Sequence, residues 1–451
     1  MGAPPPAEWS PADLAHAALL DLAAVPRTPA AVALVDELTA AVADLEAGAR
    51  GNRRGAAGRA KLRGAVGAVV GGLLRAWDGG TARACFHPLN RSAFTGGPVG
   101  HRQFIAAVAG LEALGHVARH AGINYAFAWE DGPSFVGKAA RFRPATPLLA
   151  SAARHGITPG TARDAFGAAY PTKAPTVPSP LLLRGLPAPR RKGTGARPER
   201  QELPIPAGDA TARRLAEQVR DANARAGRHD VRGCLPPRWR RAFVLDWSMG
   251  GRWASVGGAG HYQGLSPAER AGITIDGART VELDVSAAHL TVMHGLLGLP
   301  MPAGDPYAVP GVPRGVVKAW IVAALGKGSP VARWAATAEV DPARWPAREV
   351  GAAVLARYPF LSDPAAAVCD LAHLGPPRRL LTHRLMGLEA AAMTAALESL
   401  RAAGVLGLPV HDSLIVPAGA EGLARRALVA GFEAVAGATP TIKPAGAAGS
   451  P

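Results

Sequence analysis

The chain has 451 residues, a net charge of +16 and 48% apolar residues, which allows two or three domains with their own cores and excludes a disordered or fibrous protein. Its three cysteines, Cys85, Cys234 and Cys369, are far apart and form no CxxC pair, which speaks against a structural zinc site and a disulfide framework. No apolar run is long enough to span a bilayer, and Met1–Ser10 lacks the basic start and apolar core of a signal peptide, so a cytoplasmic protein with no membrane partner is expected. The basic excess makes a polyanion the natural partner, because each neutralised phosphate releases counterions.

In chain order, residues 11–80 are Ala- and Leu-rich and predict helices. The stretch from Arg50 to Arg75 is basic, and Arg53 and Arg54 are candidate phosphate contacts. Over His101–His120, Phe104, Val108, Leu111 and Val117 recur at helical spacing, and Gly122 is the expected stop. A hairpin is predicted next, from Ile123–Trp129 through a turn at 130–133 and back along Arg141–Arg143. Helix followed by basic hairpin is the order of a winged helix, with Arg141 and Arg143 as nucleic-acid contacts. Residues 166–206 are rich in proline and predict an irregular, extended linker, in which Arg190, Arg191 and Lys192 would add phosphate affinity. The resulting division is 1–165, a helical, winged-helix-like nucleic-acid-binding domain; 166–206, a linker; 207–443, a second domain; and 444–451, a disordered tail.

The second domain carries the chemistry. Asp209–Arg225 reads as an amphipathic helix. Val281, Leu283 and Val285 alternate as in a strand, Ser286 is a candidate helix cap, and Asp284 falls near the strand end. Leu408–Val410 and Leu414–Val416 flank His411, Asp412 and Ser413, which places a charge at the tip of a tight hairpin. These three residues do not form a hydrolase triad, because neighbours in a strand point to opposite faces. Two aspartates on adjacent strands suit a pair of magnesium ions, with the Val285 carbonyl as a further ligand, and such a pair suits phosphoryl transfer. Between them, Arg314 and Lys318 lie four apart on one helical face, with Lys327 further along, an arrangement suited to a triphosphate. Upstream, Arg252 follows two glycines and can approach a groove closely, and Gln263 follows it.

In this order the motifs make Leu203 to Lys443 resemble the core shared by bacterial DNA polymerase I and the phage-type single-subunit RNA polymerases. Asp284 and Ser286 match the Asp-x-Ser motif, Arg314 and Lys318 the Arg-xxx-Lys helix, Arg252 the Gly-Arg segment, and His411, Asp412 and Ser413 the final motif. The resemblance implies an α+β fold with a palm (antiparallel sheet with helices) and reduced fingers. It implies two Mg2+ ions (or Mn2+) held by Asp284, Asp412 and the Val285 carbonyl. Nucleoside triphosphate would meet Arg314, Lys318, Lys327 and His289, and a DNA primer–template would meet Arg252, Gln263, His411 and Ser413. His289, five residues after the first aspartate, stands where the family faces the sugar 2′ position, which favours deoxynucleotides. Val322 and the lack of a tyrosine near Gly326 depart from the family pattern, so stacking on the incoming base must differ. The expected activity is template-directed DNA polymerisation in replication of a plasmid, prophage or mobile element. The rivals are a single-subunit RNA polymerase or primase and a non-catalytic DNA-binding replication initiator.

Overall fold

Helix-period apolar stripes build the N-terminal core. Leu34, Val35, Leu38 and Val42 of α1 (Pro29–Arg50) share it with Leu62, Val66, Val69 and Leu73 of α2 (Ala56–Arg75) and with Phe104, Val108 and Leu111 of α3 (His101–Ala113). The computed structural model describes Trp9 and residues 17–20, 22–50, 53–78, 81–121, 123–129, 132–186, 201–258, 260–335, 338 and 340–444. A four-stranded sheet covers the helices, in the order Ala18–Leu19, Cys85–His87, Ala140–Pro144, Val117–His120.

Two details differ from the sequence reading. α3 stops at Ala113, because Gly115 at φ 73° turns the chain, and Val117 enters a strand. Ile123–Trp129 pairs with Gly132–Lys138, while Arg141–Arg143 pairs with Val117–His120 and Cys85–His87. The nearer partner wins because a short connection closes the hairpin at lower entropic cost. Residues 130 and 131 of the expected turn lie outside the described residues.

The proline-rich stretch is also more ordered than expected. Phe166–Ala168 pairs with Ala24–Pro26, and β1 (Leu181–Arg184) runs parallel to β2 (Trp239–Val244), which pairs with β3 (Asp246–Ser255). Pro178 and Pro180 flank β1 rather than interrupt it, and Leu181 and Leu183 alternate into the core. Arg190, Arg191 and Lys192 lie outside the described residues. α4 (Ala210–Ala226) follows, with the Asp209 carboxylate accepting from the Ala212 amide as its cap.

The C-terminal part of the chain is organised on β4 (Ala278–Ser286), the central strand of a six-stranded sheet. After it come α5 (Ala288–Leu296), α6 (Arg314–Lys327), α7 (Ala347–Arg357) and the 26-residue α8 (Pro377–Ala402). The hairpin β5 (Leu408–Val410) and β6 (Ser413–Pro417), α9 (Glu421–Ala436) and β7 (Thr441–Pro444) complete it. β6 pairs antiparallel with β4, and β7 also pairs antiparallel with β4. Helices α5 to α9 share one core with Leu283, Val285, Leu414 and Val416 of the sheet. The molecule is therefore mixed α+β with mainly antiparallel sheets. Among the described residues no helix is long and apolar enough to cross a membrane, and all three cysteines are free.

Candidate active site

The sheet register brings the two aspartates together. Asp284 stands opposite Ser413 of β6, one residue past the hairpin tip, and the Val285 amide donates to the Asp412 carbonyl oxygen at 3.1 Å. That hydrogen bond fastens the end of β4 to the turn carrying Asp412. β5 and β6 are joined by His411 and Asp412 alone, and His411 adopts φ 54°, a conformation that tight hairpins usually give to glycine or asparagine. The buried strands on either side hold the histidine there, a local strain of the kind that accompanies a functional position.

Both carboxylates sit in a costly setting. The Asp284 carboxyl is held above its ordinary range first by burial and then by the charge of Asp412, while Lys318 and Lys443 pull it back. The Asp412 carboxyl is raised by burial and then by Glu389, against Arg252 and His289. Among the described residues neither aspartate takes part in an ion pair, and two neighbouring carboxylates without one suit a cation. No group of three or more His, Cys, Asp or Glu side chains among the described residues is gathered as a metal cage. A two-aspartate set still fits magnesium, which is commonly held by one or two carboxylates with water and substrate phosphates supplying the rest. The Val285 residue itself is buried in the strand, between Asp284 and Ser286.

α6 has one apolar and one polar face. Val316, Val317, Trp320, Ile321 and Ala324 are buried, and the Trp320 indole donates to the carbonyls of Val331 and Ala347 at 3.2 and 2.9 Å. Arg314, Lys318 and Val322 are left on the exposed stripe, and Val322 is 55% exposed. Lys318 acts electrostatically on Asp284. Arg314 is tied to Asp305 at 2.6 Å and lies 5.2 Å from the centre of the Tyr307 ring. Lys327 is nine residues beyond Lys318, about 13 Å along the helix and half a turn around it, so it does not join Arg314 and Lys318.

The expected primer–template residues divide. Arg252, on β3, makes a two-pronged ion pair with the buried Glu389 of α8, both contacts at 2.7 Å. His289, at the start of α5, lies 3.2 Å from the same carboxylate. Gln263 is a brace instead: its amide donates to the carbonyls of Trp253 and Pro409 and accepts from the Ser255 amide. Ser413 is buried, and its hydroxyl donates to Glu282 at 2.6 Å on the face of the sheet that carries Asp284. His411 is exposed at the tip. Ser286 remains in β4, and the start of α5 carries no side-chain cap.

In the N-terminal domain Arg53 is exposed, and Arg54 is bound through two contacts to Glu46 at 2.5 and 2.7 Å. Arg141 is not available to a phosphate: it is 6% exposed, donates to the Ala139 carbonyl and packs over Phe86. Arg143 lies 4.5 Å from the Trp9 ring centre.

Three charged residues escaped the sequence reading. Lys443 of β7 stands directly across from Asp284. Glu282, two residues before Asp284 on the same face, is held by Arg270 at 2.7 and 3.0 Å. Glu389 falls on the apolar stripe of α8, four residues after Leu385, and a carboxylate at a stripe position was the available signal. No protein-family model matches this sequence, and comparison with curated proteins gives no match.

Proposed function

We propose that the protein is a template-directed nucleotidyltransferase, a DNA polymerase extending a 3′ hydroxyl with deoxynucleotides. The observation that carries this reading is the meeting of Asp284 and Asp412 at the end of one antiparallel strand pair, with Lys318 of α6 near enough to act on Asp284. Asp284 and Asp412 would hold Mg2+, or Mn2+ in its place, and bound divalent ions would supply charge neutralisation for an attacking hydroxyl and a leaving pyrophosphate. The chain's own side chains do the remaining work. Lys318 and Arg314 meet the negative charge of the triphosphate, Arg314 being oriented by Asp305. Lys443 adds a positive charge beside Asp284. Arg252 is fixed for contact with the primer–template by Glu389. His289, beside the same carboxylate, crowds the sugar 2′ position and favours deoxynucleotides.

In this reading α1 to α3 and their sheet form a winged-helix-like module that grips duplex, with the hairpin Ile123–Lys138 as its wing. Pairing such a module with a polymerase-like palm and reduced fingers suits replication of a plasmid, prophage or mobile element. The test is extension of a labelled primer on a DNA template with magnesium. Extension with dNTPs that is lost in Asp284→Asn supports the proposal. Extension with rNTPs alone moves the protein to the RNA polymerase or primase class. Tight duplex binding with no extension leaves the replication initiator.

A further inference from the structure

Three elements meet at one buried carboxylate. Glu389 is 1% exposed, and its Oε1 accepts from Arg252 Nε at 2.7 Å. Its Oε2 receives both Arg252 Nη2 at 2.7 Å and His289 Nε2 at 3.2 Å. Arg252 Nη2 and His289 Nε2 are themselves 3.2 Å apart, so the three groups close a triangle. Burial raises the Glu389 carboxyl, but hydrogen bonds from His289 and Arg252 outweigh it and hold the group ionised. A buried ion pair of this kind is a weak device for stability, because desolvation offsets most of the attraction. Its value lies in fixing geometry.

The geometry is selective about the imidazole. An arginine has only donors, and an ionised carboxylate has only acceptors. Nε2 of His289 can bond Glu389 only when it carries the proton, and can bond Arg252 only when it does not. With Glu389 present, the anionic acceptor oxygen beside Nε2 favours the protonated nitrogen, while Arg252 gives that carboxylate two of its five N–H groups and keeps a second Nη2 hydrogen near the ring. Without that oxygen, the nearest partner of Nε2 is the Arg252 donor, which demands the opposite tautomer and a shifted ring.

We infer that Glu389 is a positioning residue that sets the orientation of His289, and through it the discrimination between deoxy- and ribonucleotides. The inference rests on the proposed polymerase reading. Glu389→Gln is the sharp variant, because it keeps the shape but replaces one acceptor oxygen with a donor amide. The ratio of kcat/KM for dNTP to that for rNTP is expected to fall about tenfold in E389Q, a similar amount in H289A, and no further in the double variant. Unchanged selectivity in E389Q alongside a loss in H289A overturns the inference. If the parent protein extends no primer at all, the polymerase reading fails separately. The inference is then decided on the ring itself: the 15N signals of His289, assigned by their loss in H289A, should report a changed tautomer in E389Q. Identical imidazole signals in parent and E389Q overturn it.

Discussion

Asp284 and Asp412 each hold a proton more tightly in the folded chain than in an unfolded one, because burial and neighbouring carboxylates penalise the charge. The sign follows from linkage. This contribution stabilises the fold below the ordinary aspartate range and is lost as pH rises through the raised folded-state values. At neutral pH the two ionised carboxylates therefore oppose folding, and Asp412→Asn is expected to melt at the same temperature as the parent or higher while losing nearly all turnover. Magnesium should raise the melting temperature of the parent at pH 7.5 and have little effect on the variant. A thermal melt with and without the ion checks both; a marked drop in the stability of Asp412→Asn would contradict the account. Glu389 gives the opposite sign. Glu389→Ala leaves Arg252 without its counter-ion, and because Arg252 is 27% exposed and can partly rehydrate, the expected cost is about 1–3 kcal/mol. Urea unfolding measures it.

At the scale of the element, α8 is the part on which the site depends. It packs against β3, α9 and the sheet, and Gly387 lets it come within contact of the β3 backbone at Ser248, where an added Cβ would collide with the Ser248 carbonyl. Gly387→Ala should cost about 1–3 kcal/mol and also lower activity, since Glu389 lies two residues further along the same helix. Denaturant unfolding alongside a turnover assay tests this, and loss of neither would contradict it. The site-bearing elements were the legible ones. Two apolar runs around His411 and Asp412 could only close as a short hairpin, and the stripe Val316, Val317, Trp320, Ile321 marked α6 directly. What the sequence hid is long-range. Lys443 reaches Asp284 only through the pairing of β7 with β4, which no local pattern announces. Glu389 is marked only by its place on an apolar stripe, and its partners Arg252 and His289 lie far off in sequence. The partners of Gln263 and Ser413 were hidden in the same way: Gln263 bonds the carbonyls of Trp253 and Pro409, and Ser413 bonds Glu282. The strand Leu181–Arg184 was obscured by the prolines on its flank, although these stop short of the pairing residues.

At the scale of the whole molecule, the charge of +16 is the dominant fact. The pairs Arg54–Glu46, Arg252–Glu389 and Arg270–Glu282 are already balanced within that sum, so the whole excess is left to the other basic side chains. That excess predicts duplex binding that weakens linearly in a log–log plot against salt, by at least about tenfold between roughly 50 and 200 mM. Fluorescence anisotropy with a labelled duplex measures the slope, and salt-independent binding would contradict the electrostatic account. The most direct test of the central claim is a primer-extension assay on a DNA template with magnesium, comparing dNTPs with rNTPs and the parent with Asp284→Asn and Asp412→Asn. The account predicts extension with dNTPs in the parent and almost none in either variant. Robust extension by the variants, or none by a folded, DNA-bound parent, would contradict it.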